Sequence, residues 1–482
     1  MKTWDVIVVG AGAGGLSSAM TLAAQGKSVL VLEAGPDPGG KMGRQVVDGV
    51  EFDTGPSVLT MTDVVRSVFE GAGQSMEDFV ELIPTDGFQY LWPDGTNLTV
   101  RFELEHTLAE VEKQFGTIHA KEFQGFMAYA KEIWDAAAPN FVYGDAPTMG
   151  SAAKLGVTKF RELLKIDPMR TMGKAIQGRV TEPHLQDLLA RYATYNGSHP
   201  WRAPATLNCI AWVELGLGCY GVKGGIFALA SGMERAAIQA GAAFEYDAKV
   251  EEIVAERGVI TGVRLVGGRF MPAKNVVCNA DVAHLVTSLM PTLRGVSEPS
   301  EPSMSGWTGV LRTRRTERHS HTVLFPSCDY TQEFVDIFEH ERLPTDPTVY
   351  LCAQEKAHRR SGWEEDEAIF AMINAPPVGK GASDTRGIAD KVLGRLVEFN
   401  LVDAGAEWVW TRTPEQLAHQ FEGSRGSIYG ASSNSQFSAF QRPPNRIREV
   451  SGLYLASGSA HPGGGVPMCL LSGQAAARAI LS

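Results

Sequence analysis

The stretch DVIVVGAGAGG, residues 5–15, decides the fold. Residues 5–9 are a short, apolar, β-branched run, as a strand buried in a parallel sheet requires. Gly10, Gly12 and Gly15 follow in GxGxxG register, with Gly14 beside them. LSSAMTLAAQG (16–26) then reads as a helix stopping at Gly26, and SVLVLEA (28–34) as a second strand reaching Glu33. Strand, glycine turn, helix, strand and acid in that order predict a dinucleotide-binding βαβ unit. Gly10 is expected to make the tight turn, Gly12 to let backbone approach a pyrophosphate, and Gly15 to let helix pack on strand. The helix N-terminus offers unpaired N–H groups to the same phosphates. Glu33 stands about 20 residues onward, where a carboxylate meets a ribose hydroxyl, and its charge disfavours the phosphorylated ribose of NADP.

Around this unit lies a chain of 482 residues, 44% hydrophobic and 21% charged, room for two or three domains. A net charge of −11 argues against nucleic acid as a partner, because such binders carry basic stripes. Cys209, Cys219, Cys278, Cys328, Cys352 and Cys469 are scattered without a CxxC pair, so neither a metal site nor a disulfide framework is expected, and a cytoplasmic setting fits. No apolar run reaches the length of a membrane span, and because the opening residues read as a strand, no leader is expected.

Thr60 and Asp63 have the form of a capping box before a helix ending near Gly71 or Gly73. HLQDLLARYATYNG (184–197) is helical with Gly197 as its stop. VKGGIFALASGM (222–233) opens another helix, and short strands return after it. A strand near Val250 and the segment VVCNAD (276–281) are expected to rejoin the N-terminal sheet, giving a discontinuous cofactor domain. The basic run RTRRTERHSH (312–321) reads as a solvated hairpin tip, with anionic lipid as the alternative contact.

Beyond Glu33, Gly39, Gly40, Lys41 and Arg44 extend the site past one βαβ unit. With GGKMGRQVVDGVEFDTGPSVLT (39–60), NGSHPWRAPATL (196–207), VKGGIFALASGM and LYLASGSAHPGGGVPMCLLSG (453–473), the chain resembles the bacterial phytoene desaturase family of FAD-dependent carotenoid desaturases. HPGGGVPMC stands where members usually show HPGAGIPG, and Lys41 where many have Arg. Together with PWRAPATL, these departures lean toward the subgroup acting on 1-hydroxy- and 1-methoxycarotenoids, the hydroxyneurosporene desaturases.

The resemblance implies an α/β, mixed α+β fold of amine-oxidase-like flavoprotein architecture. A Rossmann-like FAD-binding domain (1–75, 218–290 and 437–482) carries an inserted substrate domain of helices and antiparallel strands (76–217 and 291–436). It implies FAD contacts at Gly10, Gly12, Gly14, Gly15, Glu33, Lys41, Gly55, Ser57, Val58, Val250, Asn279, Gly458, Val466 and Met468. For Val250 and Asn279, an ordinary place in the sheet is an equal reading. The closing helix, with Pro467 in its first turn, would face the flavin's pyrimidine edge. No metal is implied.

The implied substrate is an acyclic carotenoid, and the implied chemistry is hydride transfer from an allylic carbon to the flavin, followed by loss of a neighbouring proton. His461 either orients the ring, accepts a proton or caps its own turn. Glu214, an acid among apolar residues, either takes the proton, binds a substrate hydroxyl or sits at the surface or in an ion pair. Tyr192, Tyr195, Trp201 and Trp212 either line a polyene tunnel or fill core. FQGFMAYAKEIWDAAAPNFVY (123–143) offers Phe126, Met127, Tyr129, Ala130, Ile133 and Trp134 on one side of a helix, for peripheral contact with a bilayer or for core packing. Oxygen or a quinone would reoxidise the flavin. Phytoene desaturase, carotenoid isomerase or oxygenase, amine oxidase and non-enzymatic lipid escort are the other readings.

Overall fold

Two sheets organise the chain, described here from a computed structural model covering residues 2–144, 146, 165–379, 387–435 and 442–482. The first has seven strands: β1 (Trp4–Val9), β2 (Val29–Leu32), β9 (Ala243–Glu245), β10 (Val250–Glu256), β11 (Val259–Leu265), β12 (Phe270–Cys278) and β18 (Leu453–Leu455). Parallel pairing runs from β9 through β2, β1 and β12 to β18. Val6, Ile7 and Val8 have no exposed surface, because helices cover one face of this parallel core while the β10–β11 strands and residues 282–293 cover the other. β10, β11 and β12 form an antiparallel meander at its edge, so Val250 enters the sheet two strands away from β1's neighbour. Three distant stretches of chain therefore build one sheet.

The second sheet also has seven strands, in the order β17 (Glu407–Arg412), β13 (Ser305–Arg314), β16 (Asp366–Ala375), β15 (Val349–Ala353), β14 (His321–Leu324), β6 (Phe88–Leu91) and β7 (Asn97–Val100). All its pairs are antiparallel except β14 with β6. Two small pairs link the layers: β3 (Arg44–Val47) with β4 (Val50–Asp53), and β5 (Leu82–Pro84) with β8 (Tyr220–Val222). The fold is α/β with a parallel cofactor sheet and a largely antiparallel second sheet. The domain boundary expected at 437 lies outside the described residues.

Seven helices matter for the site: α1 (Ala13–Ala24), α2 (Thr62–Gly71), α3 (Thr117–Ala137), α4 (Pro183–Ala190), α5 (Cys209–Leu215), α6 (Ile226–Gln239) and α7 (Val466–Leu481). One apolar cluster joins α1, α2, α6 and α7; another joins α3, α4 and α5 to β6 and β14. Gly14 and Gly473 bring α1 and α7 together, since a Cβ at Gly473 would lie 2.2 Å from the Gly14 carbonyl oxygen.

Two expectations are corrected, and one open choice is resolved. α2 has Met61 as N-cap in the left-handed region, without a side-chain cap, so the Thr60–Asp63 box does not form. The basic run at 312–321 is no hairpin tip, because β13 and β14 are not neighbours. Three of its four arginines are paired instead: Arg312 with Asp366 at 2.7 Å, Arg315 with Glu355 at 3.0 Å and Arg318 with Glu367 at 2.8 Å. On α3, Phe126, Met127, Ala130 and Ile133 are wholly buried, so the face proposed for a bilayer is core. The helical period alone cannot separate those two destinations.

Candidate active site

The glycine turn after β1 is built by close backbone contact. Gly10 has φ 98°, a conformation that only glycine adopts without strain. A Cβ at Gly15 would sit 2.1 Å from the Gly10 carbonyl oxygen, and one at Gly14 2.1 Å from that of Ala456. Gly12 departs from expectation: the space beside it holds Asn279 Oδ1, which accepts the Gly12 N–H at 2.9 Å. Asn279 Nδ2 donates in turn to the Ala456 carbonyl, so one side chain ties the first loop to the last strand. Glu33 Oε2 accepts the Ala11 N–H at 2.7 Å, and Oε1 accepts that of Gly35 at 2.9 Å. Ala248 donates its N–H to the Glu33 carbonyl at 2.8 Å, which places Val250 beside the acid end of β2.

Two helix N-termini face this junction uncapped. Neither α1, starting after Gly12, nor α7, starting after Gly465, has a side-chain cap or an acid in its first turn. Their free N–H groups and positive dipole ends suit anionic or electron-rich groups. Val466 and Met468 belong to the first turn of α7, and Gly458 packs against Cys469 there.

Three cations, Arg442 buried and Lys41 and Arg412 half-buried, add positive charge. Lys41 Nζ donates to the carbonyls of Ser427 and Ile428, both at 2.9 Å. Arg442 donates to the carbonyls of Gly458 at 2.9 Å and Ala431 at 3.0 Å, and Arg412 to that of Thr54 at 2.7 Å. None makes an ion pair among the described residues. Burial lowers the Lys41 pKa and brings both arginines down to about 10. Cations without an acid partner among the described residues, beside two uncapped helices, are what a dinucleotide's pyrophosphate would balance, so the residues fit FAD. The sequence marked Lys41; Arg412 and Arg442 carry no local signature and were missed.

Gly55 has no room for a Cβ, which would fall 1.9 Å from the Lys41 carbonyl oxygen. Ser57 Oγ and the Tyr350 hydroxyl lie 2.7 Å apart, and Tyr350 also meets His321 Nδ1 at 2.8 Å. Val58 packs on the second apolar cluster, so this loop joins the dinucleotide junction to the interior of the second layer.

Glu214 is wholly buried on α5. Its Oε1 accepts from the Tyr192 hydroxyl at 2.9 Å, and Oε2 accepts from Tyr195. Burial raises its pKa, with Arg191 opposing. The surface and ion-pair readings are therefore replaced by a tyrosine-bound carboxyl. His461, also buried, donates from Nε2 to the Gly144 carbonyl at 3.0 Å, while its own carbonyl accepts from Asn445 Nδ2 at 2.9 Å. Tyr192 is core, whereas Tyr195, Trp201 and Trp212 keep partial exposure around the same cluster. Among the described residues no acid, His or Cys group could hold a metal.

A glycine turn, an acid-ended β2 and two open helix N-termini on a three-part sheet define an FAD-binding oxidoreductase of the amine-oxidase type. Known proteins agree with this class. Residues 13–311 match the family of flavin containing amine oxidoreductases, and the chain belongs to it, with FAD as its cofactor. The chain is 34% identical to the hydroxyneurosporene desaturase of Rubrivivax gelatinosus, over 100% of this chain and 94% of that protein. It is 31% identical to the 4,4'-diapolycopene oxygenase of a Methylomonas species, over 97% and 96%. The resemblance read from the motifs thus holds along the whole length. Cyclohexylamine oxidase from Brevibacterium oxydans shares the fold, with TM-score 0.60 at 15% identity and 99% of each chain covered.

Proposed function

We propose that this protein is an FAD-dependent carotenoid desaturase that introduces a C=C bond into an acyclic carotenoid, with 3,4-desaturation of a 1-hydroxy- or 1-methoxyneurosporene as the reaction. The full-length similarity to hydroxyneurosporene desaturase carries this reading. Bound FAD supplies the hydride acceptor. The chain's residues do the rest: the Gly10–Gly15 turn, Glu33, Lys41 and Val250 seat the dinucleotide, with Gly458, Val466 and Met468 along the flavin. Asn279 acts by locking Gly12 to Ala456. Gly55, Ser57 and Val58 form the passage to the aromatic interior, which excludes water from the reacting carbons.

Glu214 takes up the departing proton through Tyr195. A buried carboxyl with a raised pKa is a better base than an exposed one, and its two tyrosines hold it in place. His461 positions the turn before α7. The cofactor domain comprises 1–75, 218–290 and 437–482, and the remainder binds substrate. Because the substrate dissolves in lipid, the enzyme works in the cytoplasm at a bilayer surface, and oxygen or a quinone reoxidises the flavin. Among the described residues no helix is long and apolar enough to cross a membrane.

The test is incubation of FAD-loaded protein with hydroxylated neurosporene in liposomes. A product two hydrogens lighter is expected. The 31% identity to an oxygenase supports a second reading, which would give an added oxygen instead.

A further inference from the structure

Arg191 lies just beyond α4, buried to 7% exposure in the interior of the second layer. Its guanidinium stands within 5.5 Å of the Phe88 ring centroid, 5.6 Å of Tyr90 and 5.4 Å of Tyr195. Aromatic faces stabilise a cation, but they satisfy no N–H. A single long hydrogen bond, Nη1 to the Tyr90 hydroxyl at 3.3 Å, serves five donors, and no ion pair is formed among the described residues. The nearby carboxyl, Glu214, accepts from Tyr192 and Tyr195 and makes no ion pair with it.

This cage adjoins the passage at Ser57. Tyr350, hydrogen-bonded to Ser57, has its ring 6.4 Å from that of Phe88, which in turn stacks under Arg191. Tyr195 and Tyr350 both keep partial exposure within the aromatic cluster. A plain hydrocarbon laid against these rings would leave the guanidinium's remaining donors empty. An oxygen on the end of the hydrocarbon would remove that penalty.

We propose that Arg191 determines substrate selection by donating to an oxygen at the end of the polyene, so that the enzyme prefers end-oxygenated carotenoids to plain ones. This rests on the carotenoid reading above. A guanidinium only donates, so the recognised feature is an oxygen lone pair. Hydroxyl and methoxy ends should therefore serve equally. Recognition by Glu214 would instead demand the O–H.

The experiment compares three polyenes on the FAD-loaded protein, hydroxyl-ended, methoxy-ended and unsubstituted, by the carotenoid absorption shift on binding and by kcat/KM. In the wild type, both oxygenated ends should exceed the hydrocarbon by about 100-fold. In Arg191→Met that ratio should fall to about one, and Arg191→Lys should recover part of it. Flavin absorbance checks that each variant is folded. No preference in the wild type, an unchanged ratio in Arg191→Met, or acceptance of hydroxyl but not methoxy would overturn the role of Arg191. Where the methionine variant fails to fold, the wild-type ratio and Arg191→Lys decide. If the wild type neither binds nor oxidises any of the three, the carotenoid reading falls, and this proposal with it.

Discussion

Single side chains at the junction make contacts that substitution can weigh. Arg442 donates to Gly458 and Ala431 without a carboxylate, and in the proposed site its charge serves the bound dinucleotide. Arg442→Met should weaken FAD retention by about 10- to 100-fold, read from flavin fluorescence released on dilution, because charged hydrogen bonds contribute about 1.5–3 kcal/mol. Asp187 gives a pH signature. Burial lifts its carboxyl to about 7, well above the value in an unfolded chain. Between those values the folded protein holds a proton that the unfolded chain has lost, so stability falls as pH rises through that window. Asp187→Asn should therefore raise Tm at pH 8 by about 1–2 °C and leave it unchanged at pH 4. A gain at both pH values would show that charge is not the cause.

At the scale of elements, the fold depends on helices meeting through glycine and on one carboxylate that crosses layers. Asp53, at the end of β4, accepts the Ile226 N–H at 2.7 Å and so caps α6 from outside that helix. It also lies 3.4 Å from Arg360. Asp53→Ala would leave the α6 terminus uncapped and Arg360 with Glu51 as its remaining carboxylate, and should cost about 1–3 kcal/mol in denaturant unfolding. Gly473→Ala should cost about 1–3 kcal/mol, since α7 must move off α1 to make room. Flavin would be lost with it, because the open ends of both helices face the same junction. A Gly473→Ala variant as stable as the wild type would contradict the tight crossing.

Across the whole molecule, the cofactor sheet was legible wherever its signals were local. The run from Val6 to Val9, the glycine register and Glu33 form their element within about 30 residues, so periodicity and spacing were enough. Contacts that close over hundreds of residues were not legible. Nothing near Asn279 says that its amide will lock Gly12, and nothing near Arg442 or Arg191 says that each will be buried without an acid partner. The open choice at α3 has a different cause: Phe126, Met127 and Ile133 form a stripe that suits a core as well as a bilayer, and only the packing of α5 against α3 decides. The basic run at 312–321 was misread because strand order, which separates β13 from β14, is not written in neighbouring residues.

The central claim is that both ends of the chain close around one FAD, which oxidises a hydrocarbon held in the aromatic interior. The most direct measurement is anaerobic mixing of the yellow, FAD-loaded protein with hydroxylated neurosporene, following flavin absorbance and product mass together. The flavin should bleach in step with a product two hydrogens lighter. A flavin that stays oxidised while carotenoid is bound would contradict the claim.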